Sequence, residues 1–224
     1  MKNRSKCLKI LSWCITLLVP IIIIMTSIRL LISPSFAQVE YRLPGFPEDP
    51  FGFTLEDRIE WSRPSINYLV NIQDIQYLKA LQFESGERIF NDRELSHMQD
   101  VKGVVTGMRI ALVSALVLLV VINFVVKKKG KRATSLLFAY RRGGWGVIGI
   151  ILTILIFVTL NFHQLFTRFH QIFFESGSWQ FYTSDTLIRL FPMRFWQDAF
   201  IFVGVLSLIL GVIIIIICNK RLKT

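Results

Sequence analysis

Four apolar runs, among them "LLVPIIIIM" and "ILGVIIIIIC", decide what this chain can fold into. A helix that crosses a bilayer needs about 20 consecutive, mainly apolar residues. Segments at roughly 10–32, 104–126, 144–165 and 196–218 meet that condition. Inside hydrocarbon every backbone N–H and C=O must be bonded within the protein, so segments of this kind are helices. The expected fold class is an all-α membrane protein with four transmembrane helices, forming a single integral membrane domain over residues 1–224.

The formal charge of +11 invites a nucleic-acid reading, but its distribution points elsewhere. Lys2, Arg4, Lys6 and Lys9 precede the first span. "KKKGKRATSLLFAYRR" joins the second and third with seven bases and no acid, and Lys220, Arg221 and Lys223 follow the fourth. All fifteen acidic residues lie in the other two connections or at their borders. Basic residues concentrate in cytoplasmic loops, so both termini and the inner loop at about 127–143 are expected inside, and regions 33–103 and 166–195 outside. Without a recognisable nucleic-acid-binding fold, the partner expected for the basic loop is the anionic inner leaflet, that is, membrane lipids and no nucleic acid. The apolar stretch before "SPSFAQ" exceeds the length of a signal-peptide core, so an uncleaved anchor is expected. Cys7, Cys14 and Cys218 fall on or near the inner side, which leaves no disulfide for the outer regions.

The first outer region opens with "SPSFAQVEYRLPGFPEDPFGFTLEDRIEWSRPS", whose prolines and glycines predict turns and irregular chain. In "INYLVNIQDIQYLKALQF" the spacing of Ile66, Leu69, Val70, Ile72, Ile75, Leu78 and Leu81 predicts one amphipathic helix, suited to the membrane interface. Asn91 or Asp92 then caps a helix running into the second span. The second outer region, "RFHQIFFESGSWQFYTSDTLIRLFP", is far richer in polar and aromatic groups than a turn requires. Its rings suit the headgroup level, and Pro192 is a natural first-turn residue for the fourth span.

The chemistry available is limited. The three histidines, His97, His163 and His170, all lie at the outer boundary, and histidine is the natural proton carrier near neutral pH. Convergence of histidines from both outer connections would make an acyl- or proton-transfer site; the plain alternative is interfacial packing. Glu94 and His97 have the i, i+3 spacing of carboxylate-bridged bundles, and three histidines suffice for zinc. No second Glu–His pair stands in the sequence, however, so a metal is not expected. Ser96, Ser176, Ser178 and Ser184 stand in no nucleophile elbow. Arg29, Arg109, Arg189 and Arg194 lie in or beside spans, where a cation either snorkels to headgroups or holds an anionic group.

The motifs "RELSHMQDVK" and "FHQIFF…GSWQF…DTLIRLFPMRFW", with four spans and both termini inside, resemble the bacterial lipoprotein intramolecular transacylase (Lit) family. That resemblance implies a multi-pass enzyme of the bacterial cytoplasmic membrane with its active site facing outward. Its substrate would be a diacylglyceryl lipoprotein, whose sn-2 acyl chain moves to the α-amine of the same cysteine to give a lyso-form lipoprotein. The intramolecular transfer that the resemblance implies needs no cofactor. It also implies two catalytic histidines, at His97 and His170, with His163 outside the pattern. His170 is the expected base and His97 the expected acid. Arg189, Trp179 or Tyr182 are candidates to hold the oxyanion. Asp185 or Glu94 could orient a histidine or the substrate ammonium, and Arg109 is a further candidate for an anionic substrate group. Two other classes stay open: a non-enzymatic sensor or assembly partner, and an intermolecular acyltransferase or lipid hydrolase. Oligomeric state is left open.

Overall fold

The computed structural model describes residues 2–128 and 133–223. The basic stretch 129–132 lies outside the described residues, as do the side chains of 2–5, 7, 127, 128 and 133. The described chain runs α1 (Lys2–Leu31), α2 (Pro34–Glu40), α3 (Leu55–Val70), α4 (Gln76–Lys79), α5 (Asp92–Lys128), α6 (Ala133–Phe173), α7 (Thr186–Leu190) and α8 (Met193–Lys223). The β pairing among these residues is one isolated antiparallel bridge, Gln82 to Arg88. Four helices are long and apolar enough to cross a membrane, over Leu8–Leu31, Asp92–Val126, Thr134–Phe173 and Met193–Lys223. The protein is a multi-pass membrane protein.

These helices outrun the spans read from hydropathy. The 37 residues of α5 rise about 55 Å, against a hydrocarbon core of about 30 Å. Most of the surplus is its polar beginning, "DRELSHMQDVK".

Two compact units emerge. The first comprises residues 1–29, 109–156 and 202–224. Its core joins Ile15, Val19, Ile23, Ile122, Val126, Ala139, Val147 and Ile151. Glycine permits close backbone approach here: a Cβ on Gly144 would stand 2.8 Å from Ile215 and 3.0 Å from the carbonyl of Gly211. Small residues at such crossings are a general device of membrane helices. Polar groups are satisfied locally, as where the Ser207 hydroxyl donates to Ser27 (3.0 Å) and Ser27 to the Ile23 carbonyl (3.0 Å).

The second unit comprises residues 30–108 and 157–201. One cluster gathers Tyr68, Leu78, Ile89, Phe90, Leu95, Met98, Leu187 and Leu190; another gathers Ala37, Tyr41, Ile66 and Phe195. The first stretch is more ordered than its prolines predict. Ser33 caps α2 with Pro34 in its first turn. At the start of α3, Thr54 and Asp57 form a capping box, which satisfies orphan N–H groups at both ends of the pair. Pro64 sits inside α3 rather than ending it. The single amphipathic helix expected from Ile66 to Leu81 is instead broken. Asn71 Oδ1 accepts from Gln73 N (3.1 Å) and Asp74 Oδ1 from Gln76 N (2.9 Å). These local turns compete successfully with helix and leave Ile72 fully exposed. Pro192 stands just before α8, its carbonyl accepting from Trp196 N.

Glu40, at the end of α2, is buried and faces Asp198, which is ion-paired with Arg194. Burial first, then the hydrogen bond and charge of Asp198, push the Glu40 pKa up to about 7, with Arg194 opposing. The folded protein therefore keeps a proton that the unfolded chain loses near 4.5. This contribution to stability is full below about pH 4.5 and is lost as the pH rises through about 7. Glu40→Gln should flatten the fall in Tm between pH 5 and pH 8 in detergent solution; an unchanged slope would contradict the assignment.

Candidate active site

The site grows from the N-terminus of α5. Asn91 Oδ1 accepts from the backbone N–H groups of Arg93 (3.0 Å) and Glu94 (3.1 Å), while Glu94 Oε2 accepts from Asn91 N (2.8 Å). Of the two expected caps, Asn91 and Asp92, it is Asn91 that makes this reciprocal cap. The other oxygen, Glu94 Oε1, accepts from the backbone N–H of Leu187 in α7 at 2.7 Å. Both carboxylate oxygens are thus engaged by backbone, with the residue 1% exposed. Glu94 therefore fastens two elements.

Neighbouring bonds reinforce the join. Thr186 donates its hydroxyl to the Ile89 carbonyl (2.6 Å), and the Tyr41 hydroxyl donates to the Leu190 carbonyl (3.0 Å). Asp185 takes hydrogen bonds from the Asn91 amide (3.0 Å), from Arg93 (3.1 Å) and from Tyr182 N (2.8 Å). Arg189 donates to Asp49 Oδ2 (3.0 Å) and the Phe51 carbonyl (3.1 Å), and its guanidinium lies 3.4 Å from the centre of the Phe53 ring. Burial alone would raise the Asp49 pKa, but Arg189 and the Phe53 N–H outweigh it and hold the carboxyl below its ordinary value.

His97 lies three residues after Glu94, nearly one turn on, and is 8% exposed. Its ring meets Phe174 at 4.9 Å and Phe181 at 5.3 Å between centres, both edge to face. His170 arrives from the other side on α6. That helix departs from helical backbone at Asn161 (φ −157°, ψ 74°). Asn161 Oδ1 then accepts from Gln164 N at 3.1 Å, so the following segment has its own cap. His170 is 8% exposed, and its ring lies parallel to that of His97 within 21°, with centres 6.2 Å apart. Its Nδ1 is 2.8 Å from the Phe166 carbonyl. A carbonyl only accepts, so in the neutral ring Nδ1 carries the proton and Nε2 the lone pair. The Nδ1 of His97 has no hydrogen-bond partner among the described residues.

Past α6, Gly177 at φ +88° allows a turn in which Ser178 N bonds the Glu175 carbonyl (3.2 Å). A left-handed residue here suits glycine. The turn returns Trp179 to the His170 ring, with centres 4.8 Å apart. Phe166, Phe169 and Phe174 complete the surroundings of His170 at 4.1, 5.6 and 5.5 Å.

The fold thus gathers His97, His170 and Trp179, and builds Glu94, Asp185 and Arg189 into the frame beside them. It leaves others out. His163 is exposed, although its seven-residue spacing from His170 suggests a shared face. Arg109 is exposed and belongs to the other unit. Tyr182 is 67% exposed beneath the Arg93 guanidinium. Sequence reasoning missed Asp49 as the partner of Arg189; the adjacent acids Glu48 and Asp49 in "PEDPFG" do not show which of them would pair. It did not anticipate that Phe181 packs against His97. Among the described residues, no group of three His, Cys, Asp or Glu side chains could hold a metal ion.

Glu94→Gln offers only one carbonyl oxygen to two N–H donors and turns an NH₂ toward the other. It should cost about 1–3 kcal/mol, read as a lower Tm in detergent. Stability within about 0.5 kcal/mol of the parent would contradict the double-acceptor role.

The chain matches the family model described as "Lipoprotein intramolecular transacylase Lit" over residues 13–196. An uncharacterized protein of Aquifex aeolicus (strain VF5) is 29% identical over 218 residues, covering 96% of this chain and 97% of that one. The fold is similar to the in meso structure of the membrane integral lipoprotein intramolecular transacylase Lit from Bacillus cereus. There the TM-score is 0.77 and the identity 15%, with 98% of this chain and 97% of that one covered. A His-to-Arg variant of the same protein matches equally, with TM-score 0.77 and 16% identity, covering 99% and 95%. A family model that spans most of the sequence settles the kinship: this chain belongs to the lipoprotein intramolecular transacylase Lit family.

Proposed function

We propose that the chain is an acyl-transferring enzyme of the bacterial cytoplasmic membrane. Its substrate is a lipoprotein whose N-terminal cysteine carries a diacylglyceryl thioether. The sn-2 acyl chain moves to the α-amine of that cysteine, giving a lyso-form lipoprotein. The observation that carries this reading is the pairing of His97 and His170 at 6.2 Å in a box of aromatic rings. Apolar walls suit lipid chains, and two parallel imidazoles can serve one reacting group from opposite sides.

The steps balance on these residues. The ammonium first gives up a proton to solvent, and the free amine attacks the ester carbonyl. His170 Nε2 takes the second amine proton as the C–N bond forms. His97 supplies a proton to the glyceryl oxygen as the C–O bond breaks. His170 gains what His97 gives, and proton exchange resets the pair. Amine and ester already share one molecule, and effective molarities of well-oriented intramolecular reactions reach about 10⁵ M or more. Orientation, proton transfer and oxyanion stabilisation are therefore sufficient. Glu94, Asp185 and Arg189 hold the frame in this scheme.

Charge supports an outward-facing site. Every one of the fifteen acidic residues falls in the unit that holds the histidines, beside ten basic residues; the other unit has sixteen basic residues and no acid. The positive-inside tendency then puts the basic clusters in the cytoplasm and the histidines outside.

The test uses a host that makes diacylglyceryl lipoproteins but lacks N-acylating enzymes. Mass spectrometry of the N-terminal peptide should reveal an isomer of unchanged mass, with one chain amide-linked to cysteine. Acid–base groups contribute about 10²–10⁴-fold, so His97→Asn and His170→Asn should each lower product at least about 100-fold in folded protein. Near-normal product from either variant would sink the two-histidine scheme.

A further inference from the structure

We infer that the indole Nε1–H of Trp179 is the donor that holds the ester carbonyl oxygen as it becomes an oxyanion. The inference rests on the transacylase reading and adds the group that the two histidines do not supply. Attack of the amine puts negative charge on the carbonyl oxygen, and a donor aimed at that position ahead of time is typically worth about 10²–10³ in rate.

Three side chains were candidates from sequence, and the structure separates them. Arg189 is committed to Asp49 and to the Phe51 carbonyl. Tyr182 is two-thirds exposed, and its ring is covered by Arg93. The Trp179 Nε1 atom, in contrast, is buried and has no hydrogen-bond partner among the described residues. An indole N–H can only donate, and a buried donor left unpaired costs about 1–3 kcal/mol. This one belongs to a ring packed on His170 at 4.8 Å and 37°. The turn at Gly177 (φ +88°) sends it back there. A donor kept unpaired beside the proposed base is poised for an acceptor that arrives with the substrate.

The discriminating variant is Trp179→Phe, which keeps an aromatic ring and removes the N–H. With purified protein and a synthetic diacylglyceryl-cysteine peptide, kcat should fall about 100-fold, while KM, Tm and the shape of the pH profile stay near the parent's. A role in packing alone predicts little loss in the Phe variant. A folded W179F with kcat within threefold of the parent would overturn the inference. Should W179F fail to fold, Trp179→His and Trp179→Leu decide. The first retains a ring N–H and should keep at least tenfold more activity than the second; equal activity overturns the inference. If the parent protein itself forms no amide, the transacylase reading falls. If the parent is active and W179F matches it, only the role of Trp179 falls.

Discussion

The second unit depends on one buried carboxylate. Glu94 takes a hydrogen bond from Asn91 N with one oxygen and from Leu187 N with the other. It therefore closes its own helix start and clamps a short helix from 93 residues further along the chain. A polar group in such a place is tolerable only when its hydrogen bonds are complete, and both Glu94 oxygens are engaged. The lesser ties, Thr186 to Ile89 and Asn91 to Asp185, lie along the same seam. Because His97 follows Glu94 within a turn, the bond that seats α7 also fixes where this imidazole stands.

Around that seam the rings form a second constraint. His97 and His170 are enclosed chiefly by Phe166, Phe169, Phe174, Phe181 and Trp179, not by charges. For the proposed reaction this is apt. The substrate is mostly hydrocarbon with one small polar knot, and proton transfers and oxyanion bonds gain strength where water is scarce. The backbone carbonyl at His170 Nδ1 sets the tautomer of the neutral ring and puts the lone pair on Nε2, the nitrogen that the proposed reaction uses.

Much of this was legible in the sequence, and the losses have physical causes. The four long helices follow from apolar runs that admit no other structure in hydrocarbon. Asn91 was legible as a cap because the cap, its partner Glu94 and the apolar run lie in one short window. His97 and His170 were legible through the family motifs, whereas spacing alone could not exclude His163. Its seven-residue offset says nothing of the non-helical Asn161 or of which ring meets a partner. The helix expected across Asn71–Asp74 failed because apolar periodicity runs straight through two residues whose side chains make local turns. Arg189 was one of three oxyanion candidates because its partner, Asp49, lies 140 residues away, and local sequence cannot say which acid such an arginine will meet. The orientation of Trp179 depends on one positive-φ glycine two residues earlier, which composition does not announce.

In the proposed reaction the acyl chain moves within one substrate molecule, between the two histidines. A crossover experiment addresses it most directly. Two diacylglyceryl peptides of different sequence, one with isotopically heavy acyl chains and one with light, would be mixed with the purified protein. Each product should keep its own chains, with heavy amide on the first peptide, light amide on the second, and total masses unchanged. Mixed products, with a heavy chain on the light peptide's amine, would contradict it and point to intermolecular transfer.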